Sequence, residues 1–346
     1  MMSIKTRNMW LQIITGTLIL ALVVWQGRRP RPVEFDSGYR QTMGTFARAL
    51  VVAADKPTAL AAIEAAFAVI DRVNTEMSDY DPDSLLSQVN RQAFVEPVKV
   101  TPELFEVISA AIEYSKLSDG AFDITVGPVV QLWRKAKQTA VPPTEEELAA
   151  ARSKVGYRHL ILDAEAMTVR FGVEGMALDV GGIAKGYAVD AATAAMRQAG
   201  ATGGMVDIGG NIRCFGTPVG GKPHWRIGLQ DPLKDNHTLL TLTLDEMAVA
   251  TSGDYRRFAV LNGQKYSHIV NPASGQSVRE LSSVSIIAPS AMRADALSTA
   301  VSVMGEEKGR TLIESLPDVE AILIRTDQPD AMILTPGLGK FLNKDH

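Results

Sequence analysis

Nine short β-rich runs constrain the fold of this chain: HLILD, TVRF, GMALDV, GMVDIGG, WRIGLQ, TLLTLTL, MAVATSG, SVSIIAP and AILIRT all fall between residues 159 and 326. Several follow one another with only a turn between them, and strands joined so tightly pair antiparallel. Helical signals are interspersed. Leu60, Ile63, Phe67, Ile70, Val73 and Met77 recur at helical spacing over 58–77 and predict a buried stripe. Thr101 before Pro102 predicts a helix N-cap. In PTEEELAAARSKVG, Thr144 and Glu147 predict a capping box, with the helix closing at Gly156. Another helix over 184–199 stops at Gly200. FAVLNGQKYSHI predicts a hairpin turning at Asn262–Gly263. This order fits an α+β fold, with mixed, largely antiparallel sheets and packed helices, better than a regular βαβ winding.

The N-terminus is a separate unit. Residues 8–27 carry no charge, and twenty helical residues at roughly 1.5 Å each span about 30 Å, the thickness of a bilayer core. Trp10 and Trp25 flank the run as interfacial aromatics do. A cleaved signal peptide is the alternative, but no small-x-small cleavage site precedes RRPRP. One N-terminal membrane helix is therefore expected ahead of the fold. The resulting division is a short segment at 1–8, an anchor or signal helix at 9–27, a linker at 28–38 with two prolines, and one folded domain at 39–346. Basic residues lie on both sides of the run, so charge does not orient it. The formal net charge is −4, which argues against a broad nucleic-acid surface. A single cysteine, Cys214, excludes an intramolecular disulfide framework and a multi-cysteine metal site.

Three stretches carry chemistry. LDVGGIAKGYAVD at 178–190 packs Asp179, Gly181, Gly182 and Lys185 where a strand is expected to pass into a helix. Bare backbone, a helix N-terminus and a cation make an anion site, yet neither a P-loop nor a dinucleotide fingerprint is present. A tight turn with solvated charges is the plainer reading. DVGG at 179–182 returns as DIGG at 207–210, either a duplicated half-domain or, more simply, two strands ending in similar turns. In MRADALSTAVSVMG, Asp295 and Thr299 stand at i and i+4 on one helical face, with Ser298 beside them. An oxygen-only set suits a hard cation such as Mg²⁺; a helix of small core residues is the alternative. His268 ends the second hairpin strand before NPASG, a better than average position for a catalytic histidine. SDYDPDSLLSQVN and SDGAFDITVGP each set an aromatic among small polar residues in an expected loop.

MGTF at 43–46, SDYDPDSLLSQVN, GAFDITVGP, LDVGGIAKGYAVD, DIGGN, TSGDYRRF, YSHIVNP and ADALSTA occur in one order. In that order the chain resembles the ApbE-type flavin transferases over essentially all of 40–340. The resemblance implies a flavin transferase domain that moves the FMN part of FAD onto a threonine or serine hydroxyl of a target protein. AMP would be released, with Mg²⁺ as cofactor and FAD as substrate. Carried over by motif, Asp179, Lys185, Met43, Tyr80, Ala121, Phe122, Asp123 and Ile269 are implied FAD contacts. Asp295, Thr299 and the Gly182 carbonyl are implied metal ligands, and His268 is the implied catalytic residue. The implied partners are FAD, acceptor subunits of membrane redox complexes and, through the N-terminal helix, the membrane; nucleic acid is not among them. The implied location is the inner membrane, with the catalytic domain facing the periplasm or cell exterior. Many members are tethered by a lipidated cysteine near the N-terminus, and this chain has none there. Two other readings use the same residues: an FAD pyrophosphatase giving FMN and AMP, and a membrane-tethered flavin-binding protein without catalysis.

Overall fold

The computed structural model describes residues 32–234, 237–253, 258–261 and 263–342, together with Thr15. Apart from Thr15, the expected anchor at 9–27 lies outside the described residues. Among those residues no helix is long and apolar enough to cross a membrane. In chain order the strands are β1 Val33–Asp36, β2 Arg40–Thr42, β3 Thr45–Ala53, β4 Val98–Lys99, β5 Leu160–Asp163, β6 Thr168–Phe171, β7 Gly203–Ile208, β8 Asn211–Phe215, β9 Trp225–Gln230, β10 Thr238–Leu244, β11 Ala248–Gly253, β12 Phe258–Leu261, β13 Gln264–Ser267, β14 Leu281–Ala288, β15 Glu320–Arg325 and β16 Met332–Leu334. The α-helices are α1 Lys56–Met77, α2 Leu85–Gln92, α3 Pro102–Leu117, α4 Gly127–Thr139, α5 Glu145–Arg152, α6 Ala184–Gln198, α7 Ala291–Met304 and α8 Glu306–Glu314.

A nine-stranded sheet runs β1-β3-β7-β8-β11-β14-β15-β16, with β2 also on β3. Its ladders are antiparallel, which agrees with the α+β reading. Both faces are buried, and the alternation along each strand shows how. On β11, Ala248 and Ala250 face the helices while Val249 faces the other way. There the β9–β10 ribbon covers the sheet with Trp225, Ile227, Leu242 and Leu244. The helical layer is α1, α6 and α7, so the stretch holding Gly182 and Lys185 and the helix holding Asp295 lie side by side over the sheet.

Local chemistry sets the helix ends. Thr101 accepts a bond from Leu104 N–H, and Thr144 with Glu147 forms the capping box. That helix stops at Arg152 rather than running to Gly156. The stripe on α1 is buried at Ile63, Phe67, Ile70, Val73 and Met77, but Leu60 is 45% exposed. Leu60 points about 100° away from the buried face, which Ala59, Ala62 and Ile63 occupy at this end of the helix. Residues 33–36, assigned to the linker by composition, form β1, because Val33–Asp36 finds ladder partners in Leu50–Ala53.

GMALDV is not a strand: of its residues only Ala177 makes a bridge, a parallel one to Val126. The Asn90 side-chain amide takes the place of a neighbouring strand at Leu178, accepting from its N–H at 2.7 Å and donating to its carbonyl at 3.0 Å. The DVGG and DIGG turns also differ. Gly209 and Gly210 have φ of 60° and 92°, a left-handed pair closing β7 onto β8, and neither Gly181 nor Gly182 is left-handed.

Candidate active site

The first cluster forms where α6 meets α7. Residue Gly186 makes this approach possible, since a Cβ there would fall 2.6 Å from Met292 Cα. Asp190, one turn further along α6, accepts from the N–H groups of Ala291 and Met292, each at 2.9 Å, and so caps α7 from its neighbour. Asp295 on α7 returns the favour. Its Oδ2 accepts the Gly186 N–H at 2.9 Å, one of the orphan donors at the start of α6, and lies 3.5 Å from Lys185 Nζ. The carboxylate is 4% exposed. Lys185 Nζ also donates to the Gly181 carbonyl at 2.6 Å.

One turn on, Thr299 lies against Gly182, where a Cβ would come 3.0 Å from Thr299 Oγ1 and 3.3 Å from Phe122 Cε2. Glycine at 182 therefore leaves room beside the hydroxyl. Ser298, by contrast, is committed to the scaffold: its Oγ donates to the Asp295 carbonyl and meets Ser252 Oγ at 2.7 Å.

These donors fit a hard cation. Among the described residues, Asp295 Oδ1 and Thr299 Oγ1 have no protein hydrogen-bond partner, and the Gly182 backbone adjoins the threonine. No group of three or more His, Cys, Asp or Glu that could hold a metal occurs among the described residues. The set suits an ion that completes its shell with water and phosphate oxygens.

The second cluster surrounds Asp179. Its Oδ1 accepts the Gly181 N–H at 2.8 Å, and its Oδ2 accepts Arg134 Nη2 at 2.9 Å. Arg134, on α4, also reaches Asp79 Oδ2 with Nη1 at 2.5 Å, and its Cζ lies 4.2 Å from the centre of the Tyr80 ring. Burial pushes the Asp79 carboxyl above its ordinary value, the Asp179 carboxylate adds to this, and Arg134 opposes it. Burial would lower the Arg134 value, but the two carboxylates outweigh it and raise it. Tyr80 is 77% exposed on a loop where Ser78 Oγ accepts from the N–H groups of Tyr80 and Asp81.

The loop after α3 carries Ala121, Phe122 and Asp123. Phe122 is buried edge-on to Tyr114 and supplies the wall near Gly182. Asp123 turns inward: Oδ1 accepts Thr125 N–H and Oγ1 at 2.8 and 2.7 Å, and Oδ2 accepts Tyr157 N–H at 2.8 Å. Burial pushes its carboxyl up against those three donors. Asp123 thus shapes the loop with its side chain, and its carbonyl accepts the Val126 N–H. Met43 and Gly44, with φ of 48° and 66°, form the two-residue β2–β3 turn. That turn lies at the sheet end that also carries Gly209, whose N–H donates to the Phe46 carbonyl.

His268 and Ile269 follow β13, His268 exposed and Ile269 buried. The β12–β13 hairpin forms as expected, with Asn262 outside the described residues. It is seated on α4: Trp133 stacks on Tyr266 with centroids 5.0 Å apart, and its Nε1–H donates to the Gly275 carbonyl at 2.8 Å. Trp133 thus carries the histidine segment while Arg134, the next residue, holds Asp179.

The structure brings Gly182, Lys185, Asp295, Thr299 and Phe122 into one neighbourhood and joins Asp179 to Tyr80 through Arg134. His268 and Ile269 lie on the hairpin segment that rests on α4 and α5. Sequence reasoning missed Arg134, Asp79 and Asn90. The one available signal for Arg134 was a cation beside a tryptophan on the inner side of a helix.

An ApbE family model matches residues 43–323. The FAD:protein FMN transferase of Vibrio cholerae serotype O1 is 35% identical over 280 residues, 80% of this chain and 83% of that one. The Haemophilus influenzae protein of the same name is 32% identical over 326 residues, 91% of this chain and 94% of that one. Among solved structures, the ApbE protein from Thermotoga maritima superposes with a TM-score of 0.81 at 32% identity, covering 91% of this chain and 100% of that one.

Proposed function

Because this chain belongs to the ApbE family and is an FAD:protein FMN transferase, we propose that it transfers FMN from FAD to a threonine or serine hydroxyl of an acceptor protein, with Mg²⁺, releasing AMP. The observation that carries the mechanism is the meeting of Asp295 with Gly186 and Lys185, 109 residues apart along the chain for the hydrogen-bonded pair, beside the contact of Thr299 with Gly182. Asp295, Thr299 and the Gly182 carbonyl would hold the metal. Mg²⁺, when bound, supplies positive charge to pyrophosphate oxygens and to departing AMP.

The residues do the rest. Lys185 adds a cation at the start of α6, where the helix dipole is positive and favours phosphate. Tyr80, Met43, Ile269, Asp179 and the 121–123 backbone hold the flavin half, so that the FMN-side phosphorus faces the incoming hydroxyl. The acceptor oxygen bonds to that phosphorus, the bond to the bridging oxygen breaks, and that oxygen leaves with AMP. His268 takes the hydroxyl proton as general base. Phosphoryl transfer of this kind depends mainly on positioning and charge neutralisation, which this set of residues supplies.

We further assign the uncharged run at 9–27 as an inner-membrane anchor, with the domain on the periplasmic or outer side and acceptors among subunits of membrane redox complexes. The test is incubation of the full chain with FAD, Mg²⁺ and an acceptor. Covalent flavin fluorescence on the acceptor with equimolar AMP is the expected result. Free FMN and AMP without labelling would mean a pyrophosphatase, and intact FAD a binding protein. A reporter fused after residue 30 tests the orientation.

A further inference from the structure

We propose that Arg134 is a positioning residue for the flavin ring: it fixes Tyr80 as a stacking platform and Asp179 as the adjoining polar contact. This inference rests on the flavin assignment above. One guanidinium uses both edges and a face, with Nη1 on Asp79, Nη2 on Asp179 and Cζ 4.2 Å from the Tyr80 centroid. The planar fork makes this possible, and a lysine ammonium would supply charge without the flat surface.

The geometry has two effects. Asp79 and Tyr80 are neighbours, so the ion pair at one and the stack at the other hold the loop from both sides. Tyr80 nevertheless remains 77% exposed, so a ring covered on one side by Arg134 keeps area for a planar ligand. Asp179 is also drawn by Arg134 toward α4 while its other oxygen holds the Gly181 N–H. The same side chain therefore couples the aromatic platform to the turn that leads into Gly182 and Lys185. Without Arg134, two half-buried carboxylates face each other uncompensated and the Tyr80 ring is free to turn.

The experiment titrates the detergent-solubilised full chain, without acceptor, with FAD and with riboflavin, which carries the ring and no phosphate. Arg134→Met should weaken both by a similar factor, about tenfold, as expected for loss of a cation–π stack with its ion pairs. Arg134→Lys, which keeps the charge and guards against misfolding, should recover only part of that. In turnover the loss should fall on KM for FAD more than on kcat. Combining Arg134→Met with Tyr80→Leu should add little beyond either alone. Unchanged FAD affinity in Arg134→Met overturns the proposal. So does weakening of FAD with riboflavin unaffected, which would make Arg134 a phosphate ligand. Failure of the unsubstituted chain to bind FAD would instead strike the functional reading itself.

Discussion

Replacing Gly186 with alanine should pry apart the two helices that build the proposed metal side of the site. The added Cβ would lie 2.3 Å from the Ala291 carbonyl oxygen and 2.6 Å from the Ala291 carbonyl carbon and Met292 Cα, where ordinary contact begins at 3.4 Å. The helices must therefore separate by about 1 Å. They cannot slide freely, because Asp190 holds the first two N–H groups of α7 and also the Arg213 guanidinium. Overpacking of this kind costs about 1–3 kcal/mol, and alanine's better helix propensity returns about 1, leaving a net loss of about 0–2 kcal/mol. That is survivable for a domain with a core of this size.

The rate should suffer more. Asp295 and Thr299 move with α7 while Gly182 stays with the start of α6, and a misplacement near 1 Å can cost about 10²-fold. We expect acceptor labelling to fall about 10- to 100-fold, with the Mg²⁺ midpoint raised and thermal unfolding only a few degrees lower. The assay is the initial rate of acceptor labelling across a Mg²⁺ series, beside a thermal melt. Wild-type rate and Mg²⁺ midpoint in the alanine variant would refute the claim that the α6–α7 approach sets the site.

Asp295→Asn keeps an acceptor for the Gly186 N–H but loses the charge, so the fold should hold while Mg²⁺-supported transfer collapses; undiminished transfer at low Mg²⁺ would remove Asp295 from the shell. His268→Ala should lower turnover by roughly 10²–10⁴-fold with FAD affinity nearly intact, as single-turnover and binding measurements would show; the reverse pattern would make it a binding residue. Asp123→Asn should destabilise by about 1–3 kcal/mol, because an amide nitrogen cannot accept where three donors converge; denaturant titration reads this, and an unchanged midpoint contradicts the inward role.

What the sequence disclosed is uneven for physical reasons. Caps are local, so Thr101 and Thr144 were legible from their own neighbours. Alternation and turn chemistry were legible in β9, β10 and the β12–β13 hairpin. Leu178 was misread because an apolar run looks the same whether its backbone is paired by a strand or by an asparagine side chain 88 residues away. The proposed ligand set around Gly182 and Asp295 rests on the order of several motifs, since no single one declares its partner. Arg134 stayed hidden because charge pairing over 45 residues leaves no periodic trace. Periodicity reports which face is buried, and it does not report what meets that face.

The seat of the histidine hairpin has a consequence for how the protein opens. Among the described residues, β12 and β13 pair with each other and with no strand of the large sheet. They rest on a small core of their own, with Leu261 and Val270 against Val129, Trp133, Ala136, Leu148 and Ala151. A two-stranded hairpin is marginal by itself in water, so the grip of Trp133 sets its lifetime on α4. Amides of β12 and β13 should then exchange with solvent far faster than those of β7 or β11, without global unfolding. If His268 is the general base proposed above, it rides on a separable flap, and lifting that flap would admit a bulky polypeptide acceptor without opening the α6–α7 contact.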